Sequence, residues 1–176
     1  QWRNMKRQNS QARDKVLNLL LWCPAEQFYE KEISEKAKVS KSSVNLIMKP
    51  LVEEGWLSLT EKGRLNLYQV NLNSAKVRSY KKSLTVNKLD NLINHLKGKV
   101  EKLILFGSAA KGEDVMTSDL DLMIVSDRGV EIKRVRQLLP SDRHGQIIIK
   151  TSDEFRELKF KNKVFYQAVN QGERLI

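Results

Sequence analysis

The stretch that decides the reading of this chain is ILFGSAAKGEDVMTSDLDLMIV, Ile104 to Val125. Two apolar runs flank a Gly-Ser turn, and the second run carries Asp119 and Asp121, one residue apart. Side chains two apart on a strand share a face. The alternation in DLDLMIV therefore sends Leu120, Leu122 and Ile124 into a core and Asp119 and Asp121 together to the other side. Two carboxylates held that close repel, and one takes up a proton unless a cation lies between them. A hard divalent cation such as Mg²⁺, bound by one or two carboxylates and completed by phosphate oxygens, meets that requirement. Upstream, KLILF (Lys102 to Phe106) reads as a short central strand, and Gly107-Ser108 opens the turn that follows it. Glycine lets a backbone approach a ligand closely, while a Ser hydroxyl and free N–H groups can hold phosphate oxygens. A phosphate brought against a carboxylate-bound cation is the arrangement for in-line displacement at phosphorus.

Gly107-Ser108, ten intervening residues and Asp119-Leu120-Asp121 resemble the signature of the DNA polymerase beta-like nucleotidyltransferase superfamily. The wider strings GSAAKG and SDLDL are most similar to its minimal nucleotidyltransferases. The resemblance covers roughly residues 84–176. It implies that Asp119 and Asp121 are catalytic metal ligands and that Gly107 and Ser108 bind a nucleoside triphosphate. Lys111 and Gly112 match the family's Arg/Lys-Gly and join Ser118 as implied nucleotide-binding positions, with Ser118 shaping the start of the strand. The implied cofactors are Mg²⁺ or Mn²⁺, with an NTP as substrate and ATP as the first candidate. One departure stands out. The third carboxylate of active members aligns with Gln146 in HGQIIIK (His144 to Lys150), and a neutral amide is no general base and a poor metal ligand. Asp142 and Asp153 flank that strand. Two readings stay open: transfer of an NMP to an acceptor (a protein hydroxyl, a small molecule or an RNA end), or a DNA-binding regulator or antitoxin whose nucleotidyltransferase domain only binds nucleotide or is inactive.

Charge divides the chain. Of the net +11, residues 1–100 hold 19 Lys and Arg against 9 Asp and Glu, whereas residues 101–176 hold 13 against 12. A basic half joined to a near-neutral half is the pattern of a phosphate-meeting module attached to one with another task. In the basic half, Val16, Leu19, Leu20 and Cys23 recur at helical spacing before Pro24, and Ile33, Ala37 and Val39 mark a second helix. A third helix opens at Ser40 or Ser42, both good N-cap residues, and carries Val44, Ile47, Met48 and Leu51 on one face. Gly55 stops it, and Pro50 predicts a bend. Leu57 and Leu59, then Leu65 and Leu67, alternate with polar residues around Glu61-Lys62-Gly63-Arg64, a hairpin.

Three helices and a hairpin resemble the winged helix-turn-helix family over roughly residues 10–74. On the third helix, Lys41, Asn45 and Lys49 recur at every fourth position with Ser42 beside them. Such a stripe fits the major groove of double-stranded DNA, and Lys62 and Arg64 at the hairpin tip can reach backbone phosphates.

The expected architecture is α+β: a winged helix-turn-helix over residues 1–75, a linker over 76–83, and a small α/β nucleotidyltransferase domain with a mixed sheet over 84–176. Val86, Leu89, Ile93 and Leu96 predict one helix ahead of the first central strand, and Thr151 with Glu154 predicts a capping box opening a helix toward the chain's end. The lone Cys23 allows no internal disulfide, and the isolated His95 and His144 leave a histidine metal site or a Ser-His-Asp triad without support. No run of 18 apolar residues is present, so no membrane partner is expected, and a cytoplasmic location is the default. Duplex DNA, a protein partner or acceptor, and a further copy of the chain are the partners expected.

Overall fold

Apolar residues recurring every three or four positions draw the first helices onto a common core. The computed structural model describes residues 2–176, with side chains from residue 11. Helices α1 (Trp2–Trp22), α2 (Glu30–Ala37) and α3 (Lys41–Glu53) lead into an antiparallel hairpin of β1 (Leu57–Lys62) and β2 (Leu65–Val70). Val16, Leu17, Leu20, Leu21, Ile33, Val44, Met48 and Leu51 are all buried. Ser40 caps α3 by accepting from the Ser43 N–H at 3.2 Å. The helix passes through Pro50 and ends at Glu53, so the proline removes one backbone donor without stopping it. The hairpin turns at Gly63, whose φ of +63° a side chain disfavours. Phe28 and Tyr68 exchange both backbone hydrogen bonds, at 2.9 and 2.8 Å, which ties the segment before α2 to β2.

The chain divides into two compact units, Gln1–Val77 and Arg78–Ile176, with the division inside α4 (Ala75–Lys88). Residues 76–83, expected as a linker, are helical, and the expected single helix carrying Val86 to Leu96 is instead the end of α4 and all of α5 (Asp90–Leu96). The break falls at Leu89, where the backbone leaves the helical region (φ −91°, ψ 0°) and the side chain is buried. Lysine-rich composition suggested solvent along α4, yet Lys81 and Thr85 are buried there, and Lys81 meets Asp114, a partner remote in sequence.

The second unit is built on a four-stranded mixed sheet in the order β5 (Gly145–Lys150), β4 (Leu120–Val125), β3 (Lys102–Phe106), β6 (Glu173–Arg174). The β3/β4 and β3/β6 pairs are antiparallel and β4/β5 is parallel. The short α6 (Gly107–Lys111) connects β3 toward β4, α7 (Ile132–Gln137) serves the parallel crossover, and α8 (Ser152–Lys161) and α9 (Lys163–Asn170) follow β5. Thr151 and Glu154 form the expected capping box on α8. Both faces of the sheet are covered. Leu103, Leu105, Leu120, Leu122 and Ile124 pack with Leu89, Leu92, Leu96 and Val135. On the other face Ile104, Phe106, Met123 and Val125 pack with Phe155 and Val169. Each fully buried side chain of this size contributes about 1.5–3 kcal/mol. Among the described residues, no helix is long and apolar enough to cross a membrane.

Candidate functional site

The register of the sheet explains how carboxylates come to stand on a strand buried on both faces. Asp121 is the second residue of β4, and Asp119 lies just before the strand rather than within it. Asp121 pairs with Phe106 on one side and with Gln146 on the other. Further along the same face, Met123 and Val125 are sealed by α8 and α9. The carboxylate end of that face is open: Asp121 is half-buried, while Asp119 and Gln146 are exposed.

Gly107 connects the turn to the carboxylates. Its φ is +71°, and a Cβ placed on it would lie 2.2 Å from Oδ2 of Asp121. Only glycine satisfies both the left-handed backbone and this approach. Whatever the Gly107-Ser108 backbone binds is therefore in reach of the Asp121 carboxylate. Burial is the larger cause pushing the Asp121 carboxyl above the ordinary aspartate range, and the charge of Asp119 adds to it. Among the described residues, none donates a hydrogen bond to either carboxylate. Among them, too, no group of three or more His, Cys, Asp or Glu is placed to share a metal ion. A cation here would draw two ligands from this chain, which suits an ion that keeps water and substrate phosphates in its remaining positions.

The other positions singled out in the sequence fall into distinct roles. Ser108 is half-buried in the first turn of α6, and Lys111 is exposed at the helix's last position. Gly112 caps α6 in the left-handed conformation (φ +70°), and a Cβ there would meet the backbone carbonyl of Arg78 at 2.1 Å. Its glycine identity is thus required by packing on α4. Ser118 accepts a hydrogen bond from the Val115 N–H at 2.9 Å through Oγ and shapes the loop before β4. Asp142 is engaged by Lys88 at 2.6 Å, and Asp153 is exposed in the first turn of α8, so neither shares the register of Asp121 that Gln146 has. An open space of about 570 Å³, lined by Arg136, Ser141, His144 and Gly145 among others, adjoins the start of β5.

The chain pattern did not single out the buried group behind this end of the sheet. Asp114, wholly buried, faces the Arg143 guanidinium at 2.9 Å and the Lys81 ammonium at 3.8 Å. Lys81 also donates to the Asp114 carbonyl. Burial is the dominant influence on the Lys81 ammonium, pulling its pKa down against the opposing pull of Asp114. In the sequence Asp114 lies in the loop between the two motif segments, but nothing local marks its cationic partners.

In the first unit, Lys41, Ser42, Asn45 and Lys49 are all exposed on α3, opposite its buried face. Lys41 and Arg64 line one surface depression, so the start of α3 and the hairpin turn share a side, with Lys62 exposed at the end of β1. Lys49 lies 3.8 Å from Glu53, and the Asn45 amide, with its NH₂ toward α2, donates to Glu30 Oε2 at 3.0 Å.

A family model described as polymerase beta, nucleotidyltransferase matches residues 87–176. A search of curated proteins found no match.

Proposed function

From the premise that this chain belongs to the polymerase beta nucleotidyltransferase family, we propose that its second unit transfers an NMP from an NTP to an acceptor hydroxyl with the help of a divalent cation. The observation that supports it most is the close approach of Gly107 to the Asp121 carboxylate. It brings a phosphate-approaching turn and a carboxylate pair into one place.

In this reading Asp119 and Asp121 hold Mg²⁺ or Mn²⁺, whose chemistry is to offset the negative charge that builds on the phosphate oxygens. Gly107 and Ser108 approach the triphosphate, with ATP the first candidate, and Lys111 supplies a nearby positive charge. Gln146, in register with Asp121 on the same face, can hydrogen-bond and orient an acceptor or a sugar hydroxyl, but it cannot take a proton at neutral pH. The proton of the acceptor hydroxyl then passes to solvent as its oxygen attacks the α-phosphorus and pyrophosphate leaves, and transfer is slow. The test is labelled-NTP transfer with Mg²⁺ or Mn²⁺ in a cell extract, beside Asp119→Asn. Label on a protein or RNA that disappears in the variant supports the proposal, and no cation-dependent label on anything rejects it.

The same Gln146 supports a second reading, in which the unit binds nucleotide without turning it over and the chain acts as a DNA-binding regulator or antitoxin. In both readings the first unit is a winged helix-turn-helix that lays α3 in the major groove of duplex DNA. The exposed Lys41, Ser42, Asn45 and Lys49, with Lys62 and Arg64 at the hairpin, support that interface. Replacing Lys41 and Lys49 together by Ala is expected to weaken duplex binding and to flatten the log Kd against log salt slope by about 2, one for each phosphate no longer neutralised. A slope unchanged in fluorescence-anisotropy titrations rejects this face.

A further inference from the structure

Asp119 is exposed, and among the described residues its side chain makes no hydrogen bond or ion pair. The peptide groups on either side of it are held by two consecutive residues of another segment. The Ser118 carbonyl accepts from Nε of Arg143 at 2.8 Å. The Leu120 N–H donates to the carbonyl of His144 at 2.8 Å. The same Arg143 guanidinium donates to Oδ2 of Asp114 at 2.9 Å, at the far end of the loop that leads to Asp119. Ser118 closes that loop on itself, its N–H donating to the Val115 carbonyl at 3.0 Å. Lys81, reaching in from α4, fixes the Asp114 end by donating to its carbonyl.

We propose that Arg143 is a positioning residue for Asp119: its planar fork, locked by Asp114 with Lys81 behind, holds the Ser118 peptide and so sets where the Asp119 carboxylate projects. The inference rests on the reading of Asp119 and Asp121 as the cation-holding pair. Stability alone is a poor account of the cluster. A buried ionic group can often be replaced by well-packed apolar side chains without loss, whereas a guanidinium fixed at two acceptors confers direction. Outer partners that orient a metal-holding group commonly matter about 10–100-fold in metal affinity.

The discriminating variant is Arg143→Lys. It keeps a positive charge opposite Asp114 but cannot span Asp114 and Ser118 in one rigid plane. The full chain would be titrated with Mn²⁺, alone and with ATP, by electron paramagnetic resonance, alongside thermal melts. Arg143→Lys is expected to melt close to the wild type and to bind Mn²⁺ about tenfold more weakly or worse. Lys81→Met, which leaves both Arg143 bonds in place, is expected to retain most of that affinity. Asp114→Asn provides a second arm should the lysine variant fail to fold: it keeps the volume and one acceptor but loosens the fork, and its Mn²⁺ affinity is expected to fall too. Wild-type protein that binds no Mn²⁺ with or without ATP overturns the cation-site reading and this inference with it. Wild-type binding matched within about twofold by folded Arg143→Lys or Asp114→Asn overturns this inference alone and leaves the cation site standing.

Discussion

Asp114 and the pair Asp119 and Asp121 lie within one short loop and strand start, and the fold treats them in opposite ways. Asp114 is wholly buried and matched by two cations, Arg143 and Lys81. Asp119 and Asp121 sit at an open end of the sheet with, among the described residues, no hydrogen-bond donor to either carboxylate. The fold thus encloses one carboxylate between two cations, with one oxygen hydrogen-bonded to Arg143 and the other facing the Lys81 ammonium, and leaves the other two to repel each other. The difference lies in burial: a buried carboxylate needs its countercharges inside the protein, whereas a pair at an open end keeps access to solvent.

Three substitutions put that contrast at risk. The largest effect is expected at the buried cluster. Asp114→Leu strands two buried cations and should cost about 3–5 kcal/mol of folding free energy in urea denaturation; a loss below about 1 kcal/mol would show that the cluster is not the closed unit described.

The second concerns the neighbour in register with Asp121. Gln146→Glu supplies a carboxylate of the same shape on the same face. If the site carries out transfer, the rate should rise by about 10²-fold, the lower range of general-base contributions. No gain in a folded variant that still binds nucleotide would favour the regulator reading.

The smallest effect is expected at Asp121 itself. Its pKa is raised, first by burial and then by Asp119, so ionising it costs the folded state. That cost is absent below the ordinary aspartate value near about 4, appears as pH rises through the interval up to the raised value, and persists above it. Asp121→Asn should therefore stabilise the cation-free protein at neutral pH by less than about 1 kcal/mol, since the half-buried group keeps part of its solvation. The gain should vanish on acidification, while cation affinity is lost. Destabilisation at neutral pH would mean that Asp121 has a structural partner after all, and the contrast with Asp114 would fail.

Much of this was legible in the chain. The hairpin around Gly63, the cap of α3, the apolar face of Val44, Ile47, Met48 and Leu51, and the strands around Gly107-Ser108 and Asp121 all follow from periods and turn chemistry that act over a few residues. Other features were misjudged from local pattern. The stripe from Val86 to Leu96 suggested one helix because Leu89 keeps helical spacing, but burying Leu89 at the break between α4 and α5 satisfied packing better than continuity. The approach of Gly112 to the Arg78 carbonyl likewise had no local signal.

The sequence by itself determined the two motif segments and the face Asp121 takes, because strand period and a Gly-Ser turn are properties of consecutive residues. It also determined the basic stripe of α3, for the same reason. Only the tertiary structure decided that Gly107 touches the Asp121 carboxylate, that Gln146 stands in register beside it, and that Arg143 holds the peptide before Asp119. The last of these joins residues 25 positions apart, and the bond of Lys81 to Asp114 spans 33. Such pairings are set by sheet register and by the strong penalty on an unpaired buried charge, and neither leaves a mark in the local sequence.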